Sequence, residues 1–514
     1  MMAPVGPAAP ASARGRALAA PLAALSARLS RAPGLAAVRE EIDALAAGAC
    51  DRMRVAVVGR VSAGKSTLVN GLLGGYRAPM GRAAVTSAVT WIRHGSPPSV
   101  IVHYRGGRAP ELRGITDLAA LAAAPVTGGS PDGPDQVEYL QVTDEAPYLR
   151  QFDLVDTPGL DSTLGVDSSG TLHFLDGPVD ALVMVFAKGL HASEVQLMTD
   201  FQPGAVATSP INSVAVLTKV EHYWPEAADP MAEAERVARR TAEFAAVSRT
   251  AHRLLPVCGL LAAGAANLSG AELADLTELA TIPADRLERL LRNAGRFDAA
   301  DLPVAPERRS LLRDGLSAYG VALACELIRE GLDDLAALRA ELDRRSGMAE
   351  VRALLVDHFG RRAELVKLNR VYGRVQALPA VHGGHLDPRD RADLADAVRD
   401  FCGQAAGQSH AVRELGVLRD HYAGRLTLAA ADTEELLRVL GERGADLATR
   451  LGQPAGARPE ELLAVLGRRL LLWRGVDAAA PYSGPTRTAV SLLVRCYERM
   501  LASLQELGGA EEPR

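Results

Sequence analysis

Aromatic residues are scarce: Phe, Trp and Tyr make up 4% of a chain that is 48% hydrophobic. Ala and Leu supply most of the apolar content, a balance that favours helices over sheets. Cysteine is scarce too. Cys50, Cys258, Cys325, Cys402 and Cys496 are odd in number and scattered, with no C-x-x-C pair. That pattern gives neither a disulfide framework nor a zinc site and suits a reducing cytosol. A basic excess is missing: the formal net charge is −5, which argues against nucleic acid as the main partner. Long apolar runs are missing as well. The longest uncharged one lies near Leu254–Ala266, short of the ~20 residues a membrane span needs, so any membrane role is expected to be peripheral. The Ala- and Pro-rich start is interrupted by Pro21 and Arg28, and it reads as a short disordered tail (1–13) rather than a signal peptide.

At 514 residues the chain has room for two or three domains. Leu22, Leu25, Leu29, Val38, Ile42 and Leu45 recur near helical spacing within 14–50, broken at Pro33-Gly34. Between 51 and 345 the apolar runs RVAVVG, SVIVHY, VEYLQV, FDLVDT, ALVMVFA, INSVAVLT and RLLPVCG alternate with helical segments. This predicts an α/β domain, a mixed but mostly parallel sheet with helices on both faces. Residues 270–340 read as all helix, either an insertion or the closing helices of that domain. From 346 to 514 no strand is convincing, and the pattern predicts an elongated helical bundle that residues 14–50 would join.

Between the first strand and the following helix stands G-R-V-S-A-G-K-S, Gly59 to Ser66, a phosphate-binding loop. Its glycines let backbone N–H groups converge on phosphate oxygens, and the helix entered at Lys65 points its positive end the same way. The groups expected around the phosphates are those of Gly59, Arg60, Val61, Ser62, Ala63, Gly64, Lys65, Ser66 and Thr67. Lys65 would reach the β and γ phosphates, and Ser66 would offer its hydroxyl to Mg²⁺. Asp156 ends an apolar strand and precedes Thr157-Pro158-Gly159; a carboxylate there can hold a Mg²⁺ water, and the Gly159 N–H can face a γ-phosphate. After a phosphate loop, that turn points to a GTPase. In AVLTKVEHY, Thr218 and Lys219 follow a strand, and Glu221 stands two residues on, able to accept the guanine N–H groups; a surface Lys–Glu pair is the plain alternative. Thr86, in the segment between the first helix and the second strand, is the candidate to ligate Mg²⁺ when γ-phosphate is present, while Thr90 is expected within the strand. The strand end at Cys258 would bring backbone N–H groups to the base or be simply a buried strand end.

GRVSAGKST, APMGRAAVTSAVT, DTPG and TKVE, in this order, resemble the phosphate loop, the two switches and the base motif of the dynamin superfamily. AGKSTLVNGLLG, VTWIRHGSPPSV and LPVCGLLA narrow the resemblance to the actinobacterial isoniazid-induced dynamin-like proteins. The resemblance implies a large GTPase that binds GTP and GDP with Mg²⁺ held by Ser66, Thr86 and Asp156. Ser62, Lys65, Thr86 and Gly159 would take the catalytic roles. It also implies self-association through the GTPase domain, or pairing with a homologous dynamin-like partner, and work in the cytoplasm at the inner face of the plasma membrane. Two positions depart from the pattern: Glu221 replaces the usual Asp, and Val61 stands where a water-positioning Gln is usual.

Three stretches are candidates for contact with an anionic lipid membrane. Arg361, Arg362, Lys367, Arg370 and Arg374 crowd one helix; GRRLLLWRG (467–475) mixes Arg with Leu and Trp473; and Pro379–Pro388 would form a loop at one end of the bundle, with His382 and His385 at metal-ligand spacing. A solvated basic face and a core-facing Leu-Trp run are the plain alternatives. The rival functional expectation is a GTP-dependent switch or assembly factor that docks a protein partner without membrane action, and a third is an ATPase.

Overall fold

The computed structural model describes residues 13–30, 32–49, 51–74, 89–104, 108–115, 118, 137–157, 179–187, 210–360, 362–408, 410–444 and 446–509. Two compact units make up the chain: Arg52–Val356, and Met1–Asp51 together with Asp357–Arg514.

The first unit is built on nine strands: β1 (Arg54–Gly59), β2 (Val89–His94), β3 (Ser99–Tyr104), β4 (Glu111–Arg113), β5 (Val137–Asp144), β6 (Asp153–Asp156), β7 (Ala181–Ala187), β8 (Ser213–Thr218) and β9 (Leu254–Pro256). They lie in the order β4-β3-β5-β2-β6-β1-β7-β8-β9. From β6 through β1, β7 and β8 to β9 every pairing is parallel, whereas β2 runs antiparallel to β6, and β3 antiparallel to both β5 and β4. The expected mixed, mostly parallel α/β sheet is therefore present. Burial follows the pairing. Strands β6, β7 and β8 are buried on both faces almost throughout, while β3 and β5 alternate, as a sheet covered on one side must. Thr90 lies within β2, as expected. Strand β4 has no counterpart in the sequence reading, because it is three residues long and mostly exposed at the sheet edge.

Helices within 270–340 share the core of this sheet. Leu276, Leu279, Leu287, Phe297, Leu312, Leu316 and Cys325 belong to one buried cluster with Val155, Phe186 and Leu217 of the strands. The unit runs on past Arg345, because the helix Met348–Leu354 lies on α3 (Lys65–Leu73): Arg352 donates to the Gly71 carbonyl at 2.7 Å.

In the second unit α1 (Ala13–Leu29) and α2 (Ala36–Ala49) pack with helices from the far end of the chain. Leu22, Leu25, Leu29, Val38, Ile42 and Leu45 are all buried. The basic helix Ala363–His382 is not a free cationic face. Arg362, just before it, is buried and paired with the buried Glu442. Lys367 is buried and donates to the Gly48 carbonyl at 3.0 Å and to that of Asp51. Arg374 meets Glu41 at 2.9 Å. Arg361 lies outside the described residues. His382 still belongs to this helix and also faces Glu41, at 2.9 Å, so the expected tip loop starts later than Pro379. Trp473 is buried, and its indole N–H donates to Glu435 at 2.9 Å. Among the described residues no helix is long and apolar enough to cross a membrane.

One close approach in the first unit is testable. Gly264, in the helix Gly259–Asn267, packs so near Pro306–Arg329 that a Cβ would land well inside contact distance of the Gly315 carbonyl oxygen. Gly264→Ala should cost about 1–3 kcal/mol, the usual penalty of overpacking, and show as a lowered midpoint in chemical denaturation.

Candidate nucleotide-binding site

Because β1, β6, β7, β8 and β9 run parallel, their C-terminal ends share one edge of the sheet, the edge where open α/β sheets bind ligands. The loop after β1 curls there. At Gly59 the backbone passes so close to β7 that a Cβ would collide with the Val185 carbonyl oxygen. Gly64 takes φ 94°, a left-handed conformation that glycine adopts freely, and it caps α3. Ser62 is also left-handed, at φ 61°, a strain of order 1 kcal/mol stored in the loop. Arg60, Val61 and Ser62 are exposed, whereas Ala63 and Lys65 are buried.

The Lys65 ammonium folds back across the loop and donates to the carbonyls of Gly59 and Arg60, at 3.1 and 2.9 Å. One residue on, the Ser66 hydroxyl donates to Asp156 Oδ2 at 2.8 Å. Asp156 is fully buried at the end of β6, and its Oδ1 has no hydrogen-bond partner among the described residues. Burial pushes its carboxyl up to about 6, against the opposing pull of the Ser66 hydroxyl and the Lys65 charge. A hydroxyl and an orphaned buried carboxylate oxygen at the foot of a phosphate loop fit a hard, oxygen-seeking divalent cation such as Mg²⁺. Thr157 fixes the start of the next turn by donating to the Val57 carbonyl at 2.8 Å, a contact that motif reading missed because it joins neighbouring strands. Thr86 and Gly159 lie outside the described residues.

Thr218 ends β8, and its hydroxyl is within 2.5 Å of the Ala63 carbonyl and 2.9 Å of the Phe186 carbonyl. It thus ties the phosphate loop to the end of β7 rather than pointing outward. Lys219 follows in a left-handed conformation, φ 58°, and turns the chain into a short 3₁₀ helix, Val220–Tyr223. Glu221 on that turn is met by Cys258, whose thiol donates to Oε2 at 3.2 Å. The Cys258 N–H, one of those considered for the base, donates to the Ser346 carbonyl at 2.8 Å. Burial, and then the Glu221 charge, hold the thiol well above its usual range, so it stays a proton donor. The next residue, Gly259, is close to Thr67 of α3, so the turn after β9 packs against the start of α3. The structure therefore gathers Gly59–Thr67, Asp156 and Thr218 into one group, and sets Glu221 and Cys258 against each other beside Lys219.

Residues 55–203 match the Dynamin family. A published structure of a bacterial dynamin pair, described as oligomerised and as sensing and tethering membranes at long range, aligns with 96% of this chain and 91% of its own at 13% identity and a TM-score of 0.36. Over 481 residues, 90% of this chain and 92% of the relative, the sequence is 30% identical to the isoniazid-induced protein IniC of Mycobacterium tuberculosis, with the same values in two strains. With that extent of identity, and a phosphate loop, Ser66–Asp156 contact and strand order of the kind set out above, the chain belongs to the dynamin family.

Proposed function

We propose that the chain binds GTP on the loop between β1 and α3, hydrolyses it to GDP and phosphate, and couples the change to its helical unit at a membrane surface. The observation that supports this best is the meeting of Ser66 and Asp156 beneath a loop spanned by Lys65. Phosphoryl transfer to water needs positioning and charge stabilisation more than a strong base. The loop N–H groups and the N-terminal end of α3 would accept the phosphate oxygens. Lys65 would exchange its two carbonyl partners for the β and γ phosphates. Mg²⁺ held by Ser66 and Asp156, with Thr86 as a further candidate ligand, would neutralise phosphate charge. Ser62 would orient the attacking water, in a loop where Val61 has no hydrogen-bonding group of its own. Glu221 would accept the guanine N–H groups, its longer arm steadied by Cys258, with the Lys219 stem along the base. Thr86 and Gly159 would sense the γ-phosphate, and its loss would shift the helical unit, joined to the first near residues 51–52 and 356–357.

Membership of the family supports self-association through the GTPase domain or pairing with a homologous dynamin-like partner. A peripheral position at the inner face of the plasma membrane is the matching location. Lipid contact finds support in the helix Pro459–Ala479, where Leu471 is 72% and Leu472 is 53% exposed beside the exposed Arg468. The internal pairing of Arg362, Lys367 and Arg374 favours the second reading, a GTP-dependent switch that docks a protein and does not touch lipid.

Lys65→Ala tests the central assignment. Hydrolysis in Mg²⁺ should fall by about 10²- to 10³-fold, and wild-type turnover per chain should rise with protein concentration; GTP uptake and hydrolysis unchanged by the substitution would refute the site. Asp156 makes the stability of the ligand-free chain depend on pH. Its folded-state pKa of about 6 lies above the unfolded value of 3.8, so the ligand-free chain loses stability as pH rises between the two, and bears the full cost above about 6. Asp156→Asn should therefore raise ligand-free stability at pH 7, on the order of 1–3 kcal/mol by thermal melt, while abolishing Mg²⁺-dependent turnover. For the membrane arm, Leu471→Glu with Leu472→Glu should abolish flotation with anionic liposomes and leave GTP turnover intact. Failure of the wild type to float, with GTP analogue or GDP, selects the protein-docking reading.

A further inference from the structure

In the helical unit, the helix His410–Tyr422 packs on the last helix, Gly484–Gly509, and a chemically mixed cluster lies between them. His410 and Glu414 stand one turn apart on the first helix, and Cys496 comes from the second. His410 Nε2 is 3.4 Å from Cys496 Sγ and 3.4 Å from Glu414 Oε1, and Cys496 Sγ is 3.8 Å from Glu414 Oε1. Zinc bonds of about 2.3 Å to sulfur, about 2.0–2.1 Å to nitrogen and about 2.0–2.2 Å to oxygen fix the edges of a tetrahedral site at roughly 3.6 Å (S to N), 3.4 Å (N to O) and 3.6 Å (S to O). The triangle in this structure is within about 0.3 Å of those edges without any ion to impose it.

The surroundings suit an ion as well. Cys496 is 2% exposed, giving a dry sulfur corner, whereas the His410 and Glu414 side chains keep 18% and 21% of their exposure and leave a way in. Thiolate, carboxylate and a divalent ion sum to zero charge beside neutral imidazole. Arg450, 3.9 Å from Glu414 Oε1 and anchored on the Val439 carbonyl, then steadies the carboxylate from outside.

We propose that His410, Glu414 and Cys496 bind one zinc-type divalent ion, with a fourth coordination position open to water or an exogenous ligand. Binding forms three protein–metal bonds and releases the thiol proton to solvent. The sulfur donor excludes Mg²⁺ and Ca²⁺, so this site and the Ser66–Asp156 pair take different classes of ion. A search for paired cysteines misses it, because Cys496 lies 82 residues beyond its Glu partner.

The test uses the full chain, stripped with chelator and titrated with Co²⁺ and then Zn²⁺. The wild type should show a thiolate-to-cobalt charge-transfer band and a zinc-dependent rise in Tm. Cys496→Ser should lose the band and bind zinc at least about 100-fold more weakly, since losing even an outer-shell partner typically costs 10–100-fold. His410→Ala, at the accessible corner, should weaken zinc binding comparably and covers the case in which the buried substitution fails to fold. A wild type without the band overturns the proposal, and so does zinc affinity unchanged in His410→Ala or in a folded Cys496→Ser.

Discussion

At the end of β1 the backbone presses against the Val185 carbonyl of β7, and only a residue without a side chain passes. That closeness sets the origin of the phosphate loop relative to the sheet. Thr218 fixes the far side, its hydroxyl lying between the Ala63 and Phe186 carbonyls and free to donate to either, and Thr157 fixes β6 to β1 through Val57. One backbone approach and two threonine hydroxyls thus hold the loop at three strand ends, and Lys65, Ser66 and Asp156 project from that frame. Such a frame is what a reaction dependent on positioning requires.

Much of this was legible in the sequence because it is local. The strand from Val55 to Gly59, the glycine spacing and Lys65-Ser66 lie within a dozen residues, and each has a conformational reason to be where it is. Continuous apolar runs marked β6, β7 and β8 because strands buried on both faces need no polar alternation. Strand β4 escaped, being short and on the edge. The base side was harder. Motif reading placed Glu221 and Cys258 near one ligand, but it did not show that the thiol holds the carboxylate, since 37 residues separate them and only the fold brings them together. The basic helix misled for the same reason. Its charges resembled a surface patch until their partners, Glu41 and Glu442, arrived from opposite ends of the sequence.

A core so poor in aromatics relies on buried polar junctions to fix which helix meets which. Glu435 accepts from Trp473 and Tyr497 and pairs with Arg469 at 3.1 Å. Glu442 does the same for Arg362 and Tyr422. Stripping Arg362 from the fully buried pair leaves Glu442 an uncompensated charge, a loss of about 3–5 kcal/mol, whereas volume-conserving swaps among the Leu and Val around it are tolerated. Alternative pairings of these similar helices are thereby made costly.

The helical unit draws its first members from before Asp51 and the rest from after Asp357. During synthesis, α1 and α2, which carry Leu22, Leu25, Val38 and Ile42, leave the ribosome before the later helices they pack on and have only each other to bury against. At ribosomal speeds of about 5–20 residues per second, roughly fifteen seconds to a minute pass before their partners leave the exit tunnel. Through that interval the nascent chain carries an amphipathic helix pair whose outer faces lack their later partners, while the α/β unit folds. The uncovered faces of α1 and α2 therefore carry an aggregation risk in that interval that a unit made of one continuous segment would not.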